Sequence, residues 1–322
     1  MADPIATRAG PQMRGVYPVL VTPFDEHGEL DLTGLERCVA FCLEAGAHGV
    51  VALVNASEFT TLSDTERRRI ADRVVGAVAG QVPVVLGVSA GTARLAANYA
   101  TEARTAGADA VIAMPPFVRA ASRPQVRDYF RAIAVASGLP VFIQNYHGYP
   151  AAQLTVDAVT ELVCSIDGVS YVKEEALPAG QRMSELIERA GSSLEGVMGG
   201  LAGRFMMDEF ARGACGTMPA CEITDVHVAI WLALEAGDVE SARIIHARAL
   251  PLLTMEWLYG AAVYKEVLRR RGIIDHATVR EPGAGVLDAQ DHRELDALLE
   301  LLRDDLHRPS ADAASRMPER IQ

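Results

Sequence analysis

Lysine is almost missing from this 322-residue chain. Of 30 basic residues only two, Lys173 and Lys265, are lysines; the rest are arginines. Arginine replaces lysine as a solvated charge or an ion-pair partner, but not as a nucleophilic amine, because its guanidinium stays protonated. An excess of positive charge is missing as well. The net charge of −12 argues against nonspecific binding to nucleic acid or anionic membrane, which needs a basic surface. A small anionic substrate stays open, because a few arginines in a pocket override the mean field locally. No apolar run reaches the ~18 residues of a membrane span. The N-terminus lacks the continuous hydrophobic stretch of a signal peptide. A cytoplasmic protein that binds neither nucleic acid nor membrane is the expectation. Cysteine is sparse and odd in number, five in all, which argues against a disulfide framework. Cys38 and Cys42 lie four apart on a predicted helix. No further ligands follow at zinc-like spacing, so they read as core packing. No His-x-His pair or carboxylate cluster has metal spacing, so neither a metal nor another cofactor is expected.

Half of the residues are apolar, enough for a large core. Short β-rich runs at 16–21, 49–53, 82–87, 110–114, 140–144, 169–173, 196–198 and 215–218 alternate with amphipathic stretches at 32–45, 64–79, 92–106, 123–137, 155–165, 181–190 and 204–212. Ser63-Asp64-Thr65-Glu66 and Thr155-Val156-Asp157 carry helix-start signals. Continuous apolar strands are buried on both faces, as in a parallel sheet. This alternation predicts an α/β fold, a (β/α)8 TIM barrel over residues 13–220. Helical patterns at 223–236, 239–253, 257–271 and 290–306 predict a C-terminal appendage over 221–307, packed on the barrel. Residues 1–12 and 308–322 read as disordered tails.

Barrel active sites gather at the C-terminal ends of the strands. Here those ends are Val54-Asn55-Ala56-Ser57-Glu58, Met114-Pro115-Pro116-Phe117, Gln144-Asn145-Tyr146-His147-Gly148-Tyr149, Lys173, Gly199-Gly200 and Met218-Pro219-Ala220. Lys173 closes the run Val169-Ser170-Tyr171-Val172 and precedes Glu174 and Glu175. A buried strand ending in an amine is what a Schiff-base enzyme needs; the alternative is a lysine left at a strand end without chemistry. Attack by such an amine on a carbonyl carbon gives an iminium. The iminium withdraws electrons from the neighbouring carbon and permits proton loss, C–C cleavage or β-elimination without a metal. Asn55 and Ser57, with the N–H groups of their turn, suit a carboxylate beside that carbonyl, or else they only form the turn. His147 is either an acid–base group or a surface loop residue. Tyr146 and Tyr149 line a specificity pocket or simply cover the mouth. Glu58 and Glu174 read as loop anchors, and Arg119 as a solvated helix-leading charge.

These motifs resemble the family of N-acetylneuraminate lyase and dihydrodipicolinate synthase, class I aldolase-type enzymes of 2-oxo acids. The resemblance spans about residues 14–300. It rests on Gly15-Val16-Tyr17-Pro18-Val19-Leu20-Val21-Thr22-Pro23-Phe24, on the turn ending in Glu58 with Thr61-Leu62, on Val172-Lys173-Glu174, and on Gly213-Ala214-Cys215-Gly216-Thr217-Met218. It implies that Lys173 forms a Schiff base with C2 of pyruvate or a longer 2-oxo acid. The turn Asn55, Ala56 and Ser57 would hold the carboxylate. Gly200 would approach the ligand through its backbone, with Phe117, Tyr146, Tyr149 and Met218 around it. Lys265 matches a family position outside the catalytic centre. The family pattern Gly-[Ser/Thr]-Thr-Gly-Glu is here Val54-Asn55-Ala56-Ser57-Glu58; Gln144 stands for the catalytic tyrosine, Phe117 for the relay tyrosine and Tyr149 for the synthase arginine. Dihydrodipicolinate synthesis is therefore not expected. The Asn-x-Ser-Glu motif, Met-Pro-Pro and Gln144 look more like the branch containing 2-keto-3-deoxy-L-arabonate dehydratase. Dehydration of a 3-deoxy-2-oxo sugar acid is the leading expectation. Aldol cleavage or condensation with pyruvate is second, and a non-catalytic 2-oxo-acid-binding barrel is third. For the base the candidates are a water held by Gln144 and Asn55, His147, or Tyr146. The resemblance also implies a homo-oligomer, a tetramer or a dimer.

Overall fold

The computed structural model describes residues 13–149 and 153–306. The tails expected at 1–12 and 308–322 lie outside the described residues. Eight parallel strands, β1 (Gly15–Val16), β2 (Val50–Ala52), β3 (Val84–Gly87), β4 (Ala110–Ala113), β5 (Val141–Asn145), β6 (Val169–Glu174), β7 (Gly196–Gly199) and β8 (Gly216–Thr217), run in the order β1-β8-β7-β6-β5-β4-β3-β2. Val19 bridges to both Val51 and Ala220, and the Val51 N–H donates to the Pro18 carbonyl at 2.9 Å. These contacts close the sheet into a (β/α)8 barrel. The first strand is shorter than the expected 16–21, because Pro18 has no N–H to give the ladder. Side chains alternate along each strand. Tyr17, Val19, Val51, Val85, Ile112, Phe142, Tyr171 and Met198 fill the barrel interior. Their neighbours Val50, Val84, Val111, Ile143, Val172 and Val197 face the helices.

The helices around the barrel are α1 (Leu32–Glu44), α2 (Asp64–Val78), α3 (Ala93–Ala106), α4 (Arg123–Ser137), α5 (Val156–Ser165), α6 (Ala179–Ala190) and α7 (Met206–Ala211). Their starts follow local chemistry. Ser63 and Glu66 form a reciprocal capping box, Thr155 accepts from the Ala158 N–H, and Ser122 with Gln125 caps α4. Beyond the sheet come α8 (Thr224–Glu235), α9 (Val239–Tyr259), α10 (Ala261–Arg270) and α11 (Ala289–Leu301). One boundary departs from expectation. Helix α9 runs through Pro251 to Tyr259, instead of ending at 253, and breaks at Gly260, whose φ is +52°. Its apolar face, including Ala249, Leu252, Leu253 and Met255, is buried in the C-terminal core, which outweighs the one backbone bond lost at proline. The extra turn carries Glu256 and Trp257 over the barrel mouth.

A buried ion pair ties this appendage to the β2 turn. Glu58 sits in the left-handed region (φ +51°), between short 3-10 turns at Asn55–Ser57 and Phe59–Thr61. Its carboxylate pairs with Lys265 of α10 and accepts the N–H groups of Arg280 and Glu281 at 2.7 and 2.8 Å. Lys265 Nζ also donates to the Thr278 carbonyl at 2.7 Å and lies 4.2 Å from the Phe24 ring. Burial pushes the Lys265 amine down, and Glu58 opposes that shift. Removing one partner strands a buried charge, at a cost of roughly 3–5 kcal/mol. Lys265→Ala is expected to lower the melting temperature by about 2–4 °C per kcal/mol lost. Lys265→Met combined with Glu58→Gln is expected to recover most of that fall, as thermal denaturation of both variants would record.

Candidate active site

The alternation of β6 fixes the chemistry. Tyr171 faces the barrel interior, so Lys173 and then Glu175 point the same way, while Glu174 points outward. Strand β5 runs in register with it, pairing Gln144 with Lys173 and Asn145 with Glu174. The outward pair is structural. Asn145 Nδ2 donates to the Glu174 carboxylate at 3.0 Å, the Ala176 N–H donates to it at 2.8 Å, and Arg182 of α6 lies 3.3 Å away. The inward set is different. Lys173 is 5% exposed, and its Nζ lies 3.5 Å from Glu175 Oε1. Gln144 Nε2 donates to Glu175 Oε2 at 2.8 Å, and the Leu201 N–H donates to Oε1 at 3.1 Å. Glu175 is the carboxylate that sequence reasoning passed over. Strand period two would have found it, since residues 173 and 175 must share a face.

A cavity of about 280 Å³ opens above this group. Its wall includes Asn55, Ala56, Gln144, Tyr146, His147, Lys173, Glu175 and Met218, so eight sequence-chosen or adjacent positions meet in one place. Neither polar atom of the Asn55 amide has a partner among the described residues, although both are buried. An outer cavity of about 310 Å³ shares Asn55, Ala56 and Tyr146 and adds Tyr149 and Phe59. Three positions behave differently from expectation. Ser57 is buried, its hydroxyl donates to the Leu20 carbonyl at 2.6 Å and its N–H bonds to the Val54 carbonyl, so it builds the turn. Phe117 packs on Phe59 and Tyr149 at ring separations of 5.7 and 5.4 Å, in the aromatic rim around neither cavity floor. Gly200 makes room for Glu175: a Cβ there would sit 2.3 Å from Glu175 Oε1. It is the following residues, Leu201 and Ala202, that line the cavity, both held at positive φ.

His147 Nδ1 bonds to the Glu175 backbone carbonyl at 3.1 Å, and its ring stacks on Trp257 at 5.4 Å. A carbonyl only accepts, so Nδ1 is the donor of this bond. Burial first, then the nearby Glu175, pushes the Tyr146 phenol up to about 12, so it serves as a hydrogen-bond donor rather than a base at neutral pH. The turn after β7 adds Arg204 to the wall, and the C-terminal helices bring Glu256, Trp257 and Tyr264. No strand-end rule could have placed the last three, because their approach depends on how α9 and α10 pack.

The model of the dihydrodipicolinate synthetase family matches residues 12–302 of the sequence. This protein belongs to that family. L-2-keto-3-deoxyarabonate dehydratase of Azospirillum brasilense is 30% identical over 276 residues, covering 84% of this chain and 89% of the relative. A 4-hydroxy-tetrahydrodipicolinate synthase of Methanocaldococcus jannaschii is 31% identical over 248 residues, covering 74% and 82%. Among solved structures, dihydrodipicolinate synthase from Rhodopseudomonas palustris superposes with a TM-score of 0.83 at 28% identity, over 92% of this chain and all of that one (100%). The family protein YagE from E. coli K12, in complex with pyruvate, gives 0.84 at 25% identity, over 90% and 99%. As a dihydrodipicolinate synthetase family member the protein is an enzyme, a class I lyase of the lysine Schiff-base type. The family's ligands are small 2-oxo acids. Among the described residues no helix is long and apolar enough to cross a membrane.

A second acid stands behind this family site. Glu209 of α7 is buried, with its carboxyl tucked under β7: a Cβ on Gly199 would meet Glu209 Oε2 at 1.9 Å. Neither of its oxygens has a hydrogen-bond partner among the described residues. Burial, then Glu175 and Asp208, pushes its pKa up to about 8, against a smaller pull from Lys173. The folded protein therefore binds this proton more tightly than the unfolded chain does. Stability contributed here is full at acid pH and falls as pH rises from about 4.5 through about 8. Glu209→Gln keeps the neutral shape and removes that dependence. Its melting temperature is expected to gain on the wild type progressively across this window, by several degrees at the alkaline end; parallel curves would contradict the assignment.

Proposed function

We propose that this protein dehydrates a 3-deoxy-2-oxo sugar acid through a Schiff base on Lys173. The amine attacks the C2 carbonyl, water leaves, and an iminium remains. Asn55 and the Ala56 turn hold the adjacent carboxylate. Glu175 takes a proton from C3, whose electrons form the enamine. The enamine expels the C4 hydroxyl, which takes the proton from Glu175 and departs as water. A second water hydrolyses the unsaturated iminium, frees the 2-oxo product and restores Lys173. Only one carboxyl is needed to take and return the proton.

The observation that carries this reading is Glu175 itself: a carboxylate 3.5 Å from the amine, fixed by Gln144 and the Leu201 N–H. Gln144 occupies the position where family synthases have a tyrosine, and its amide is spent on orienting Glu175. A carboxylate beside the iminium supports elimination, and the similarity to a named deoxyarabonate dehydratase supports it further. Aldol chemistry with pyruvate is the second reading, supported by the likeness to pyruvate-bound YagE, since the same iminium serves both. A homo-oligomer, tetramer or dimer, accords with the exposed apolar side chains Leu232, Val239, Ile244 and Leu258 on α8 and α9. Five free cysteines accord with a reducing, cytoplasmic setting.

Borohydride reduction in the presence of pyruvate, and separately of 2-keto-3-deoxy-L-arabonate, is expected to leave an adduct on the Lys173 peptide. Lys173→Ala should abolish it. Glu175→Gln should still be trapped, yet lose about 10²–10⁴-fold in dehydration rate, the usual worth of a positioned acid–base group. No adduct, or one confined to Lys265, would overturn the proposal. Adduct formation with turnover of pyruvate and an aldehyde, but no dehydration, would favour the aldolase.

A further inference from the structure

We infer that Glu256 and Arg204 form a subsite for the hydroxylated tail of the 2-oxo acid. The inference deepens the reading above and rests on it. Glu256 is only 1% exposed, yet it lines the same inner cavity as Lys173 and Asn55. Apart from the facing carboxyl of Glu222, neither of its oxygens has a hydrogen-bond partner among the described residues. Buried polar atoms in a folded protein are almost always paired, so an orphan facing a cavity marks a place for ligand or water. Arg204 lines that cavity too. Its Nη1 donates to the Leu201 carbonyl at 2.7 Å, its Nη2 bonds to the Leu253 carbonyl, and its guanidinium lies 4.7 Å from the Trp257 ring centre. Its Nε is buried and has no partner among the described residues. The backbone bonds and the ring fix the guanidinium in place, so Nε is held ready rather than free to turn away.

The two orphans have opposite needs, and this selects the ligand. Glu256 accepts; Arg204 Nε donates. A second carboxylate on the substrate carries no donor for the Glu256 oxygen. An ammonium would meet the guanidinium and cannot accept a hydrogen bond. An alkyl tail would leave both groups unsatisfied. A hydroxyl both donates and accepts, so it satisfies both at once. Glu222 lies behind Glu256, fully buried, and among the described residues the Glu256 carboxyl is its one side-chain partner. Burial raises both acids, Glu222 to about 7, and the two carboxyls face each other. One proton shared between them lowers the cost of keeping Glu256 in the wall without removing its capacity to accept. Sequence reasoning overlooked these residues: α9 brings Glu256 to the mouth, while Arg204 and Glu222 follow β7 and β8 and were not read as part of the strand-end set.

The test compares 2-keto-3-deoxy-L-arabonate with 2-oxopentanoate, a straight-chain acid of equal carbon count without hydroxyls. Half-saturation of borohydride trapping is measured for each on the full-length wild type and on Glu256→Gln. The wild type is expected to favour the hydroxylated acid by at least about tenfold, and Glu256→Gln to lose about ten- to a hundredfold of that preference, the worth of a hydrogen bond to a charged or strongly polarised group. Equal half-saturation of the two acids on the wild type overturns the subsite without need of any variant. So does an unchanged preference in a folded Glu256→Gln. The mass of the reduced adduct separates this inference from the reading it rests on. A hydroxylated acid bound with preference but trapped with its C4 hydroxyl intact leaves the subsite standing and removes the dehydratase. An adduct that has lost water without any preference does the reverse.

Discussion

The arrangement of the site depends on one constraint, the two-residue period of β6. It turns Lys173 and Glu175 into the barrel and Glu174 out of it. Three consecutive charged residues are thereby divided between two jobs. The outward carboxylate joins Asn145, Arg182 and the Ala176 N–H to lock the strand end against α6. The inward pair is buried, and opposite charges interact more strongly there than in bulk solvent. The neighbouring elements serve this pair. Strand β5 presents Gln144 at the height of Lys173, and the turn after β7 presents the Leu201 N–H, with glycine at 200 because any side chain would strike Glu175.

Both lysines of this lysine-poor chain turn out to be buried beside a buried glutamate. Lys173 has Glu175 at the barrel mouth; Lys265 has Glu58 beneath the β2 turn. Their surroundings differ in a way that separates chemistry from architecture. The Glu58 carboxylate is also bonded to two backbone N–H groups, and Lys265 to a backbone carbonyl. Lys173 has no second fixed partner among the described residues and lines the inner cavity. A fully satisfied pair holds two segments together; a partly satisfied pair at a cavity can react. The two are connected, because the Glu58 anchor fixes the same turn that carries Asn55 and Ala56 to the cavity wall.

The barrel mouth concentrates acid rather than base: Glu175, Glu209, Glu222 and Glu256 all lie within the buried shell. Few cations balance them, so burial and mutual repulsion favour protonated forms of the deeper three. The site can then present carboxyl groups as neutral hydrogen-bonding partners while remaining compatible with an anionic 2-oxo acid. Arginine 204, pinned by two carbonyls and the Trp257 ring, is the cation that tempers this field near the outer wall.

Much was legible from the sequence. Alternating buried strands and capped helices give the barrel, because secondary-structure periodicity and turn chemistry act over a few residues at a time. The same locality made Lys173 stand out, placed Asn55, Gln144, Tyr146 and His147 at strand ends, and marked the family. Glu175 was legible in principle by strand alternation and was missed by treating the strand as ending at Lys173. Other features had no local signature. Ser57 was committed to the Leu20 carbonyl, and Gly200 to clearing space for Glu175, only once distant segments met. The passage of α9 through Pro251, which sets Glu256 and Trp257 over the mouth, was decided by burial of its apolar face in the C-terminal core. The sequence determined which groups this protein can bring to a 2-oxo acid; tertiary packing decided which of them meet, because the partners of a buried carboxylate are chosen by proximity in space and not along the chain.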